Sequence, residues 1–283
     1  MAARGQSVAR KVANVAFVGF CALTTLIALG ALAAILYSLL TQGLSGLNLD
    51  VFTKVTPAPG SPGGLANAIV GSLMMCGLGM LIAVVLGILA GTWLAEFGGD
   101  SLYAKVVRFL NDVLLSAPSI LVGLVVYYVM VANLIHHFSG YAGAVALGLI
   151  AAPLVTRATE DVLKLQPPSL RESGVALGAP VWTTVRKIMW RAAAAGLVTG
   201  GLLGFARISG ETAPLLFTSL NNQFFSLDMS KPTAALPVVI FNYALSAYDD
   251  WRRLAWVGAL LIAAAVLATQ IIARILIREQ RRS

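Results

Sequence analysis

Six stretches of this chain are apolar over lengths that suit a helix crossing a lipid bilayer, and that pattern fixes most of what the chain can become. A hydrocarbon core about 30 Å thick needs about 20 residues of helix. The stretches cover residues 12–40, 66–94, 109–134, 141–155, 192–217 and 254–272, the fourth being short and free to extend past Thr156. Hydrophobic residues make up 58% of the 283 and charged residues 11%, where a soluble domain carries about 25% charge. A soluble globule of that composition lacks the charge to cover its surface, so soluble enzymes, disordered tails and secreted disulfide scaffolds are excluded. The expected fold is an all-α integral membrane protein with six transmembrane helices.

Arg10 and Lys11 before the first stretch, with Ala31-Leu32-Ala33 toward its far side, imitate a signal peptide. Its length exceeds the roughly 7–15 apolar residues of such a signal, so an uncleaved anchor is expected. Residues 1–65 then form an anchor helix and an external loop, and residues 66–283 form the membrane core. Lys and Arg are retained on the cytoplasmic side. With both termini inside, fifteen of the 20 fall in cytoplasmic segments, four fall outside and Arg207 is left within a span. The net charge of +8 is therefore a topology signal, and it calls for no nucleic acid.

Several chemistries are missing from the sequence. No Gly-Lys pair occurs, hence no phosphate-binding loop for ATP, and no HExxH or Gly-x-Ser-x-Gly stands in a plausible context. Cys21 and Cys76 lie in apolar runs without ligand spacing, and His136-His137 lacks an acidic or Cys partner, so no metal or cofactor is expected in this chain. An intramembrane hydrolase or acyltransferase would need a nucleophile and base at membrane depth, where neither His is placed. Glycines at 87 and 91, and at 196, 200 and 204, form small-residue faces that allow close helix packing.

The external loops differ. Residues 56–64 are rich in Pro and Gly and read as a connector, whereas residues 219–253 carry Phe224, Phe225, Tyr243, Tyr248 and Trp251 and suit a re-entrant or interfacial segment. The cytoplasmic connection 157–191 is the most informative soluble stretch. Pro167-Pro168 stops the preceding helix, and Ser169-Leu170-Arg171-Glu172 has the form of a capping box. A short helix should follow, ended by Gly178 in the left-handed conformation, with Pro180 in the first turn of the next. Such a helix is either a rigid knob, with Val175, Ala176 and Leu177 as its apolar surface, or an amphipathic helix on the headgroups aided by Arg171, Arg186 and Lys187.

Glu172-Ser173-Gly174, then Gly178, then Ile188 resembles the EAA loop of ABC importer permeases. Ser173 and Gly174 replace two alanines, and Trp190-Arg191 replaces the usual Leu-Pro. The resemblance implies that Glu172, Ser173, Gly174, Gly178 and Ile188 belong to a coupling helix docking into an ATP-binding subunit. Three further motifs, Gly63-Gly64-Leu65-Ala66-Asn67-Ala68-Ile69-Val70-Gly71-Ser72, Ser116-Ala117-Pro118-Ser119-Ile120 and Gly210-Glu211-Thr212-Ala213-Pro214-Leu215-Leu216, resemble the PstA-type permease family of phosphate ABC importers. That likeness runs from about Gly63 to the C-terminus. It implies a type I ABC importer permease-like bundle in the bacterial plasma (inner) membrane, working by alternating access. It further implies a second, PstC-like permease subunit, two PstB-like ATP-binding subunits that hydrolyse the ATP, and an extracytoplasmic PstS-like phosphate-binding protein. Inorganic phosphate is the implied cargo and membrane lipid the surroundings.

Arg207 and Glu211 stand four residues apart in the fifth stretch, on one helix face. About fifteen residues from the cytoplasmic end at 1.5 Å each places Arg207 some 23 Å deep. A charge at that depth costs about 2.5–3.5 kcal/mol even on insertion scales, so both should face protein or a wet path. A guanidinium suits phosphate because it stays charged and offers paired donors, which makes Arg207 the leading pathway residue; a structural ion pair is the alternative. Molybdate or sulfate would be served equally well by the same group. Asp112 and Ser116, on one face near a kink at Pro118, are secondary candidates, with Asp112 close enough to the cytoplasmic end to meet headgroups or Arg108.

Overall fold

The computed structural model describes residues 2–280, so Arg281 and Arg282, counted among the cytoplasmic cations, lie outside the described residues. Every regular element among the described residues is helical. A long α1 (Ala2–Ser45) and a short α2 (Asp50–Thr53) precede α3 (Ala66–Trp93), which ends in a π-helical turn, Leu94–Gly98. Next come α4 (Leu102–Ser116), α5 (Ser119–Val126, running on as a π-helix over Tyr127–Ile135) and α6 (Gly140–Lys164). The connection carries α7 (Pro168–Ala176) and α8 (Val181–Thr184), which passes through the turn Val185–Met189 into α9 (Trp190–Ser209). Three helices close the chain: α10 (Ala213–Thr218), α11 (Leu236–Ala244) and α12 (Asp249–Gln280).

Among the described residues five helices are long and apolar enough to span a bilayer alone, and α4 with α5 through Ile135, bent by 104° between them, makes a sixth when the pair is counted as one span. The third expected span is therefore broken rather than kinked. Pro118 has no N–H and biases its predecessor toward extended backbone, and Ala117 sits at φ −64°, ψ 136°. The fifth span is also broken: α9 ends at Ser209 and α10 begins at Ala213. The Pro214 ring would clash with the carbonyl four residues earlier, at Gly210, which is where the helix gives way. The expectation that Arg207 and Glu211 share one helix face is corrected accordingly, because Glu211 lies in the break just beyond the helix end.

At the centre of the bundle α6 is clasped by both glycine stripes. A Cβ on Gly87 of α3 would lie 2.7 Å from Val155 Cβ and one on Gly91 2.5 Å from the Thr156 carbonyl, while on α9 Gly196 meets Val162 and Gly200 meets Ala158. Side chains at these positions would push α3 and α9 off α6, so the small residues set the helix spacing. Met75, Leu147, Ala151, Ile208 and Leu215 fill the adjoining core. By contrast α1 packs only near its C-terminal end, where Gly43 meets Leu260 and Gly46 meets Val257; apolar side chains such as Phe17 and Ile27 are exposed.

The motif from Gly63 to Ser72 builds the end opposite the basic loops. Asn67 is buried and donates to Thr56 Oγ1 at 2.9 Å and to the Asn222 carbonyl at 2.7 Å, joining loop 56–64 to loop 219–253. Ser72 Oγ accepts from the Leu236 N–H at 2.6 Å, so it caps α11 from within the bundle. Loop 219–253 thus packs α11 against the bundle, with Leu236, Val238 and Val239 buried. Its aromatic residues divide: Tyr243 stacks on Trp251 at 4.4 Å with Tyr248 at the edge, whereas Phe224 and Phe225 stay exposed.

Candidate functional site

The two helix breaks meet. Buried Gly123 of α5 lies so close to α10 that a Cβ there would be 2.5 Å from Pro214 Cα. Beside the first break is a cavity of about 230 Å³, lined by Leu114, Leu115, Ala117, Ser119 and Val122 from its two sides, by Ile150 and Leu154 of α6, and by Arg207. Ile150 and Leu154 lie about 15–21 Å along α6 at 1.5 Å per residue, so Arg207 sits level with the middle of that helix. Broken helices at membrane depth leave backbone dipoles directed at a cavity, an arrangement that serves ion and substrate sites.

Arg207 Nη1 lies 2.9 Å from Glu211 Oε1, with the arginine side chain 50% exposed and the glutamate 8%. The contact is one of charge without alignment, since Glu211 Oε1 receives no hydrogen bond of acceptable angle. Glu211 is buried; Arg207 turns outward into the cavity and forms no hydrogen bond among the described residues, so its planar donors are open to an anion.

The other two pathway candidates are placed differently. Asp112 is exposed and pairs at 3.7 Å with Arg157, which also meets Asp161 at 3.3 Å, toward the basic end. Ser116 stands at the break, but its hydroxyl donates to the Val113 carbonyl at 3.0 Å, and Ser119 lines the cavity instead. Sequence reasoning passed over Ser119, although Pro118 marks it as the first residue of a new helix. It also passed over Asn111, whose amide reaches the Pro153 carbonyl at 3.2 Å and ties α4 to α6. His136 and His137 each set Nδ1 against a backbone carbonyl, at 3.0 and 3.1 Å.

In the connection the short helix forms, but its expected capping box does not. The helix begins at Pro168 with no side-chain cap at Pro167, because a proline at the first position brings a preset φ and has no N–H to satisfy. Ser169, the expected cap, falls inside the helix, and Ser173 donates to the Leu170 carbonyl at 2.9 Å. Gly178 takes φ +70° as expected, and Pro180 stands just before α8 rather than inside it. Glu172, Ser173, Val175 and Leu177 are exposed at the tip, and Ile188 is half-buried. Gly174 faces inward: a Cβ would lie 2.4 Å from Thr184, so this glycine lets α7 pack on α8. Arg171 forks Glu96, with Nε at 2.8 Å from Oε2 and Nη2 at 2.7 Å from Oε1. Those hydrogen bonds raise the Arg171 pKa above its ordinary value.

Residues 83–282 match the family described as binding-protein-dependent transport system inner membrane component. The phosphate transport system permease protein PstA of Haemophilus influenzae is 50% identical over 272 residues, 96% of either chain. That of Pasteurella multocida is 53% identical over 241 residues, 85% of this chain and 86% of its own. Among solved structures, the inward-facing MetNI methionine ABC transporter aligns with a TM-score of 0.63 at 19% identity, covering 75% of this chain and 94% of that one, a likeness of fold. The broken-span bundle, the family match and these identities together place the chain in the PstA family of phosphate transport system permease proteins.

Proposed function

We propose that the chain forms half of the translocation path of an ATP-driven phosphate importer, with Arg207 as its anion-binding group. The observation that carries this is Arg207 itself: half-exposed, unspent in hydrogen bonds, and directed into a mid-membrane cavity beside a helix break. A guanidinium in that position offers paired donors to a phosphate oxygen edge. Glu211 holds Arg207 by charge and, since phosphate keeps a proton near neutral pH, offers an acceptor for it. The likeness to named phosphate permeases supports phosphate over sulfate or molybdate.

The chain is a permease subunit, and ATP hydrolysis falls to separate chains. In this reading one of two PstB-like subunits binds the exposed tip of α7 through Glu172, Val175 and Leu177. A PstC-like permease completes the path, a PstS-like protein delivers phosphate from outside, and both termini face the cytoplasm of the bacterial plasma membrane. ATP binding draws the ATPase pair together, and the tips carry that movement into the bundle, which opens alternately to each side. The test is uptake into vesicles holding the purified complex with ATP inside and the binding protein outside. Labelled phosphate should enter, with sulfate and molybdate failing to compete. Uptake driven only by another oxyanion would overturn the assignment.

A further inference from the structure

Two buried carboxylates at the basic end of the bundle take no part in the site described above. Glu96 sits in the π-helical turn that ends α3, with its side chain 5% exposed. Glu160, on α6 one turn before its end, is 2% exposed. Each is met by an arginine from a different helix, and both arginines also hold backbone carbonyls. Besides its fork on Glu96, Arg171 donates to the carbonyls of Leu163 at 2.9 Å and Gln166 at 3.2 Å, at the end of α6. Arg108 of α4 donates to Glu160 at 2.7 Å and to the carbonyls of Leu94 and Gly99, each at 3.0 Å. Those carbonyls flank Glu96. The turn that ends α3 is therefore gripped from two sides, by α7 through Arg171 and by α4 through Arg108.

Helix ends leave carbonyls without partners, and a buried guanidinium answers several at once with little slack. A displacement of α7 then has few ways to relax locally. It must pull on the Glu96 turn and the end of α6, and through Glu160 and Arg108 on α4. Arg108 precedes Ser116 by eight residues, about 12 Å of helix, and Ser116 is where α4 breaks beside Arg207.

We propose that Arg171 and Arg108 are positioning residues that transmit movement of the coupling helix α7, through the Glu96 turn and Glu160, to the α4–α5 break at the anion site. This rests on the importer reading above and adds to it the route by which ATP binding reaches the break. Arg171 adjoins the docking residue Glu172 but serves the opposite direction, inward.

The test places a spin label on Ser116→Cys in a chain lacking Cys21 and Cys76, within the assembled complex in liposomes. ATP should change the label's spectrum in the otherwise wild-type complex, a readout that needs no phosphate. In Arg171→Gln that response should vanish while the ATPase subunits still co-purify, and phosphate moved per ATP hydrolysed should fall about tenfold, in the range of energetic coupling between linked sites. Arg171→Lys, which keeps the charge but not the fork, should show an intermediate fall. A full label response in Arg171→Gln would overturn the proposal. If that variant does not assemble, Glu96→Gln decides by the same two readouts; failure of both to assemble would make the contact a structural staple and also overturn it. A wild-type complex that responds to ATP at Ser116 yet takes up no phosphate would count against the phosphate assignment and leave this route intact.

Discussion

Two arginine–glutamate pairs in this chain have the same chemistry and opposite wiring. At the basic end, Arg171 forks Glu96 and gives two further donors to the Leu163 and Gln166 carbonyls. In mid-membrane, Arg207 meets Glu211 at 2.9 Å without an aligned hydrogen bond and keeps its donors free. The difference lies in the acceptors each fold supplies. Arg171 is surrounded by the carbonyls of a helix end, which hold its plane in place. Arg207 sits two residues before its own helix end with a cavity before it, so among the described residues only Glu211 approaches its donors, without an aligned hydrogen bond. Arginines that donate through all three nitrogens join helices; one that donates through none is, in the proposed reading, left for an anion.

That contrast orders the effects of substitution on stability. Glu160→Ala should be the most damaging, because it leaves Arg108 and Lys164 without their buried acid; breaking such a pair costs about 3–5 kcal/mol. Little chain should accumulate in membrane fractions, and normal abundance there would dissolve the distinction between joining and binding pairs. Gly174→Val should cost about 1–3 kcal/mol by overpacking against Thr184 and loosen ATPase association, measured by co-purification and thermal unfolding in detergent. Gly178→Val should cost about 1–2 kcal/mol, since φ +70° disfavours a β-branched residue, with transport reduced and membrane insertion retained. Asp112→Asn should have the least effect, about 0–1 kcal/mol for an exposed pair, and phosphate uptake near wild type. A large loss of uptake in that variant would draw Asp112 back into the pathway.

The spans and the left-handed Gly178 were legible because each rests on a local rule: apolar length, and a glycine after a helix. The glycine stripes predicted close packing, but which helix they pack against is tertiary information, and α6 as the shared partner emerges only from Val155, Ala158 and Val162 in space. Pro118 and Pro214 each announced an interruption. That the two interruptions meet, with Ser119 lining the cavity, depends on the 104° bend between α4 and α5. The capping box failed because two local rules competed for one helix start and the proline prevailed at Pro168. Glu96 and Glu160 gave no signal: near a span's basic end an acid reads as solvated, and their burial depends on arginines 75 and 52 residues away in sequence.

The central claim is that Arg207 binds the transported anion, and phosphate uptake by two variants at equal membrane abundance tests it most directly. Arg207→Gln removes a charge whose contact with buried Glu211 has no aligned hydrogen bond, and the glutamine amide can still donate to that carboxylate, so folding and assembly should persist while uptake is abolished. Exchanging the charges, Arg207→Glu with Glu211→Arg, keeps one of each sign but places a carboxylate at the cavity and moves the guanidinium into the break, so it should stay inactive. Glu211→Gln should reduce uptake less than Arg207→Gln. Uptake near wild type in Arg207→Gln or in the exchanged variant would contradict the account and leave the pair a structural one.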